Sequence, residues 1–499
     1  MPFDSPGVDY HAFAPEIVLV ATLVVLLLVD LIFEERARWA SSTIAGVGLL
    51  AAVVPILTLA VDGADRSLFD GAYVVDNFAL VLKALFLVAG YVTVLISTDY
   101  VADGDYYEGE YYFMLLSSLL GMTLMASSRD LISIFVSLEL LSIPAYLLAG
   151  WRKRDLRGNE ASLKYYLLGV FASAVMLYGM SLVFGVAGST VLTDIGDTLS
   201  EGARSAPLVT VGIVFIVVGF AFKVSAVPFH TWAPDTYEGA PTPITAFLSV
   251  ASKAAGFVAL VQLVFIAFLG RDDVWAPLFW VLAAITMTVG NLIALRQTNV
   301  VRLLAYSSVA QAGFMLAPFA VAADIPADRG GIGNATGAVV TYLLIYAAMN
   351  LGAFAVVMAV ARRTRSAEMS SYAGLFTYAP GLAVLMAVFL FALAGIPPLA
   401  GWYAKFVVFK TLLDAGTVAA VTLAVIAAVN SVIALFYYAS VARQMLMEPA
   451  PEGGDLTRVR VPASLGAALG LCAVATFAFG VVPNLIAELG DLALFGLLP

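Results

Sequence analysis

The sequence predicts an all-α polytopic membrane protein of about fourteen transmembrane helices, with two inverted five-helix repeats and two broken helices. Three observations point there. Apolar runs of about 18 residues or more recur from one end of the chain to the other, each long enough to cross a hydrocarbon core of roughly 30 Å. Of the 499 residues 62% are hydrophobic and only 12% charged, with a mean hydropathy of +0.97, too little charge to cover a soluble domain of this length. Basic residues also gather in alternate loops. A β-barrel would show shorter, alternating segments instead.

In order, the spans fall near residues 15–33, 40–61, 77–97, 111–128, 131–150, 162–187, 208–228, 241–268, 274–295, 301–321, 337–360, 380–413, 417–445 and 462–488. Arg36 and Arg38 separate the first two, and Arg152, Lys153, Arg154 and Arg157 separate the fifth and sixth. With the N-terminus outside, the inward loops hold 15 Lys and Arg; the outward loops hold 6, namely Arg66, Arg129, Arg204, Arg271, Arg329 and Lys410. That is the positive-inside direction and places both termini on the outer side. The seventh span carries Lys223 and breaks at Pro228; the twelfth is interrupted by Gly395-Ile396-Pro397-Pro398 and carries Lys405. These two lie five spans apart, so a five-helix repeat fits, and an odd number of spans per repeat sets the copies in opposite orientations. The expected organisation is an N-terminal three-helix segment (1–110), a first half (111–270), a second, inverted half (271–447) and a last span (448–499).

The stretch 218–257 is the informative one. An apolar helix carries Lys223, the chain breaks at Pro228, a polar segment with His230, Asp235 and Glu238 follows, and a second apolar helix carries Lys253. Charged residues inside spans are expensive in lipid and mark ion routes or proton relays. Broken helices at that depth need a protein or water partner for the freed backbone. Glu139, near the centre of the fifth span, and Lys223 are candidates for an ion pair in which each holds the other charged. A lysine whose partner moves away can release its proton, which an arginine cannot do. The plain alternative is a static salt bridge that fixes helix packing. Lys253 and Lys405 are read with this pair as a proton path. His230 is a relay or a structural histidine. Tyr306, Ser307, Ser308 and Gln311 line a hydrated route between Lys253 and Lys405, or pack locally as membrane hydroxyls often do. Lys83, near the start of its span, can snorkel, as can Asp30 and Asp414 at span ends.

Other chemistry is argued against by composition. A single cysteine, Cys472, excludes an intrachain disulfide, a multi-cysteine zinc site and a cysteine-ligated cluster. Two histidines, His11 and His230, are too few for a histidine-built metal centre. Neither a cofactor nor nucleic-acid binding is expected. The N-terminus lacks the basic region of a cleaved signal, so the first span is read as retained.

Four stretches carry a family resemblance: DLISIFVSLELLSIPAYLLAG (130–150), PFHTWAPDTYEGAPTPITAFLSVASKAAGF (228–257), RLLAYSSVAQAGFML (302–316) and LAGIPPLAGWYAKFVVF (393–409). With them the chain resembles the antiporter-like membrane subunits of proton-pumping NADH–quinone oxidoreductase (respiratory complex I), and FLSVASKAAGF is similar to the subunit N branch. The resemblance implies fourteen helices with two inverted repeats and a translocase role without a bound redox group. NADH and quinone would be substrates of the assembled complex, and the other membrane-arm subunits in a bacterial plasma membrane would be partners. It implies that Glu139 and Lys223 are the coupling pair, Lys253 the link between halves and Lys405 the second-half lysine. It assigns Lys83 no role. An Mrp-type cation/proton antiporter subunit and a mere scaffold subunit stay open as alternatives.

Overall fold

Hydrocarbon offers no partner to a free N–H or C=O, so each chain reversal must be closed by the protein itself. Short polar side chains do this at several helix starts. Asp76 accepts from the amide of Ala79, Asp130 from those of Ile132 and Ser133, Asn299 from those of Val301 and Arg302, and Thr417 from that of Ala420.

The computed structural model describes residues 8–33, 38–104, 108–201, 207–450 and 457–492; Arg36 and Arg204, counted above among the loop charges, lie outside the described residues. The elements run α1 (Ala14–Phe33), α2 (Arg38–Asp62), a hairpin of β1 (Arg66–Leu68) and β2 (Tyr73–Val75), α3 (Asn77–Ala102), α4 (Glu108–Ser127), α5 (Leu131–Ala149), α6 (Leu156–Ala187) and α7 (Leu192–Glu201). Then come α8 (Pro207–Lys223), α9 (Trp232–Gly239), α10 (Thr242–Phe247), α11 (Lys253–Gln262), α12 (Asp272–Ala294), α13 (Val300–Leu316) and α14 (Gly331–Thr364). The chain closes with α15 (Leu375–Tyr378), α16 (Pro380–Ala394), α17 (Gly401–Ala415), α18 (Val418–Leu446), α19 (Ala463–Val481) and α20 (Asn484–Leu492). Among the described residues 11 helical runs are long and apolar enough to cross a membrane, and α8 and α16 are shorter apolar helices. This is a multi-pass membrane protein.

The run through α10 and α11 is almost wholly buried, as are α13 and α14, while α1, α6, α18 and α19 each turn an apolar face outward. Leu27, Phe171, Val432 and Phe436 on those faces are exposed, as suits side chains whose solvent is lipid. The centre of the bundle is therefore built from α10, α11, α13 and α14. Close crossings rest on glycine: a Cβ on Gly179 of α6 would sit 2.7 Å from the carbonyl oxygen of Gly212 on α8.

Two interruptions shape the centre. Helix α8 ends at Lys223, five residues before the expected Pro228, where Ser225 takes φ +61°; the Val227–Pro228 bond is cis. The Phe222 carbonyl accepts from the Ser225 amide at 3.0 Å and from Trp232 Nε1 at 2.9 Å, and the Val227 amide donates to Thr286 Oγ1 of α12 at 3.0 Å. Helix α16 stops at Gly395, whose φ of +94° suits a residue without a Cβ, and the Pro397–Pro398 bond is also cis. A Cβ on Gly395 would also press to 2.8 Å from Lys405 Cδ. The helical run of α10 and α11 contains a π-helical turn, Leu248–Ser252, directly before Lys253, a local distortion often found at functional positions. The hairpin, α7 and the π turns were not expected from hydropathy.

Candidate functional site

Each lysine of the expected path ends in a buried polar partner supplied by another segment. Lys223 on α8 donates to Ser142 Oγ of α5 at 2.8 Å. Lys253, first residue of α11, donates to Ser308 Oγ at 2.6 Å and to the Ser308 carbonyl at 2.8 Å. Lys405 on α17 donates to the Ala394 carbonyl at 2.7 Å and lies 4.9 Å from the centre of the Phe314 ring. The three are 4%, 2% and 5% exposed, so none snorkels. The Ala394 carbonyl is one left open by the end of α16, whereas that of Ser308 lies within α13.

The expected ion pair is not closed. Among the described residues no carboxylate lies within ion-pair distance of Lys223, Lys253 or Lys405, and Glu139 Oε1 has no hydrogen-bond partner. Glu139 and Ser142 are three residues apart on α5, which puts them on neighbouring positions of one face. The serine takes the ammonium, with the carboxylate one turn away. Sequence spacing could show that the two charges share a region but not which group makes the contact.

Between Lys253 and Lys405 the side chains of α13 and α18 form a nearly continuous polar run. Ser307, next to Ser308, shares a hydrogen bond with the Tyr438 hydroxyl of α18. Gln311 Nε2 donates to that hydroxyl at 3.2 Å and to the Leu393 carbonyl at 3.0 Å, one residue before the carbonyl that holds Lys405. Tyr342 of α14 donates to Gln311 Oε1. Since Gln311 donates to Tyr438, the tyrosine hydroxyl is free to donate to Ser307, which orients the run. Around Lys253, the hydroxyls of Tyr237 and Tyr346 face Ser308 without a direct partner, and Asn350 Nδ2 donates to Ser249 Oγ at 2.7 Å with its own Oδ1 unpaired.

Ser307, Ser308 and Gln311 thus lie between the two lysines. Tyr306 does not: it is half-buried, and its ring centre is 6.3 Å from that of His230. His230 is largely buried with Nδ1 unpartnered. Tyr438, Tyr342, Tyr346, Asn350 and Ser142 were missed in the sequence, because tyrosines and asparagines in apolar helices do not announce which face they take.

At the end of the bundle that carries the α5–α6 turn, a cleft of about 220 Å³ is lined by Arg157, Glu160, Lys164, Asp235, Glu238 and Arg302. Asp235 accepts from Lys164 of α6 at 2.9 Å and from Arg302 of α13 at 3.0 Å, and Arg302 also reaches Glu238 at 2.7 Å. Partial burial would raise the Asp235 carboxyl, but the hydrogen bonds from Lys164 and Arg302 outweigh it and hold it below its usual 3.8. Residues of both expected halves are tied here to the segment after the first interruption.

The described residues contain no group of His, Cys, Asp and Glu able to hold a metal ion. The arrangement suits moving a small cation between buried amines.

Residues 128–431 match the family described as NADH:quinone oxidoreductase/Mrp antiporter, transmembrane. The chain is 38% identical to NADH-quinone oxidoreductase subunit N of Trichlorobacter lovleyi, over 97% of each chain. It is 40% identical to the subunit N of Moorella thermoacetica, over 95% of this chain and 96% of that one. Among solved structures it superimposes on a chain of respiratory complex I from Thermus thermophilus with a TM-score of 0.77 at 29% identity, covering 95% of this chain and 98% of that one. A chain of the Mrp complex from a Dietzia species gives 0.84 at 22% identity, covering 98% of each, a likeness of fold alone.

Proposed function

The chain belongs to the NADH:quinone oxidoreductase/Mrp antiporter membrane family, in its subunit N branch, and from that premise we propose that it translocates protons across the membrane as a subunit of a respiratory membrane arm. NADH oxidation and quinone reduction take place elsewhere in that assembly, and this chain contributes no redox group to them. The observation that carries the reading is the succession of buried polar groups between two buried lysines: Ser308, the adjacent Ser307, Tyr438, Gln311 and the Leu393–Ala394 carbonyls. A brace between helices needs one such contact; a relay needs a succession of groups that both donate and accept, which the hydroxyls of Ser308, Ser307 and Tyr438 do, while the Gln311 amide and the two carbonyls orient them.

In this reading Glu139 and Lys223 are the coupling pair, with Ser142 holding the ammonium in the resting arrangement. Movement of charge elsewhere in the assembly draws Lys223 away from Ser142, and the released proton passes by way of Lys253 and the α13 run to Lys405. His230, with Tyr306 beside it, serves as a relay. The fourteen crossings comprise the 11 long helices, two interrupted spans (α8 with its break, and α16 with α17) and α4. They divide as 1–110, 111–270, 271–447 and 448–499, the middle two as inverted repeats. Both termini lie on the outer side of a bacterial plasma membrane, and the cleft faces inward.

Replacing Glu139 or Lys223 with alanine in the assembled complex should sharply lower NADH-driven proton pumping. Wild-type pumping with normal assembly would refute the coupling role. The matched family also takes in Mrp antiporters, which supplies a second reading, a cation/proton antiporter subunit without a redox partner. Purification of the native assembly separates them: NADH-oxidising subunits at its other end support the first, their absence together with sodium–proton exchange the second.

A further inference from the structure

At the end of the bundle opposite the charged cleft, two buried ion pairs sit side by side, and they are built differently. Arg129, after α4, pairs with Asp76 at 2.7 Å and also donates to the carbonyls of Ala126 and Ser128 at 3.1 and 3.3 Å. The other Asp76 oxygen caps α3 through the Ala79 amide. This pair is saturated with hydrogen bonds, and its cation cannot lose a proton. It is a brace.

Lys83 of α3 and Glu16 of α1 form the second pair, 2.9 Å apart, with side chains 0% and 5% exposed. Its cation is titratable. Beyond the ammonium, neither oxygen of Glu16 has a hydrogen-bond partner. A buried pair left this unsaturated is a poor brace, since apolar side chains of similar volume would hold the helices as well or better. Lys83 also donates to the Tyr73 hydroxyl at 2.9 Å. Ser127 Oγ lies beside that hydroxyl with no partner of its own. From there the polar groups lead inward: Ser128 Oγ is 3.4 Å from Ser137 Oγ of α5, and Gln262 of α11 donates to the carbonyls of Met125 and Ala126 while its Oε1 stays unpaired. Helix α5 carries Glu139, and α11 begins with Lys253.

We propose that Glu16 and Lys83 form a further proton-carrying station, placed between the first half and the outer face within the three-helix N-terminal segment. The step is a proton transfer. An N–H bond at Lys83 Nζ breaks as an O–H bond forms at Glu16, so both charges vanish together. Glu16, in the first turn of α1, then releases the proton outward, and Lys83 is recharged from within through Tyr73. The inference rests on the translocation reading above.

The test uses the assembled complex in inverted membrane vesicles, with protons pumped per NADH oxidised as the readout and E139Q run alongside. Lys83→Arg keeps the charge pair and removes the titratable amine. If arginine does not fit and the complex fails to assemble, the double variant K83M/E16L replaces the pair with apolar volume. The expected result is full NADH oxidation with a lowered pumping ratio, together with loss of a carboxyl stretching band from the turnover-induced infrared difference spectrum of E16Q. An unchanged ratio overturns the proposal, and so does a lowered ratio with no Glu16 band in that spectrum, the signature of a packing defect. If E139Q itself pumps like wild type, the coupling role assigned to Glu139 has failed instead.

Discussion

Tyr438→Phe removes one oxygen from the run between Lys253 and Lys405 and changes little else. The Tyr438 hydroxyl meets Ser307 Oγ and Gln311 Nε2, so two buried hydrogen bonds disappear while the ring keeps its volume. At a net 0.5–1.5 kcal/mol each, the loss is about 1–3 kcal/mol. If proton passage crosses this point, its barrier rises by a similar amount, slowing passage roughly 5- to 160-fold at 1.36 kcal/mol per decade. The assay is NADH-driven acidification of inverted vesicles, normalised to NADH oxidised and to assembled complex. Tyr437→Phe is the comparison, because the neighbouring hydroxyl borders Ser307 and Tyr438 but spends its proton on Asn291 Oδ1 at 3.0 Å and does not connect the two. That variant should lose a little stability and keep its pumping ratio. Equal, wild-type pumping by both variants would refute the route.

Two further outcomes follow from the charged ends of the bundle. Asp235 is held below 3.8 by Lys164 and Arg302, so its ion pairs contribute stability above that range, which is lost as pH falls through the lowered value. Thermal midpoints of the wild type and Asp235→Asn should stand apart at neutral pH and converge below about pH 3.8; a constant separation would contradict this. Arg129→Met leaves Asp76 buried and unpaired, a cost of about 3–5 kcal/mol seen in thermal unfolding. Adding Asp76→Asn, which keeps the helix cap, should restore most of it. No restoration would mean the arginine acts some other way.

The helical membrane class was legible because hydrocarbon imposes length and composition on every crossing. The buried amines were legible because Lys223, Lys253 and Lys405 stand alone in apolar helices. Their contacts were not. The Glu139–Lys223 contact is taken by Ser142, and Tyr438, which connects Ser307 to Gln311, arrives from more than 120 residues away. Lys83 illustrates the limit best. Nearness to the start of its span suggests snorkelling, yet the β1–β2 hairpin folds over that end, with Tyr73 against Lys83 and α1 bringing Glu16. Arg129 was counted as an outward loop charge and is buried for the same reason. Hydropathy reads each helix against lipid, while these residues are placed by neighbours that close an end of the bundle.

Lys253→Arg tests the central claim most directly. Arginine retains the cation against Ser308 and cannot release it. In the assembled complex the account predicts that NADH oxidation continues while the protons pumped per NADH fall sharply. A wild-type ratio from that variant would mean the buried amines hold the bundle together and carry nothing through it.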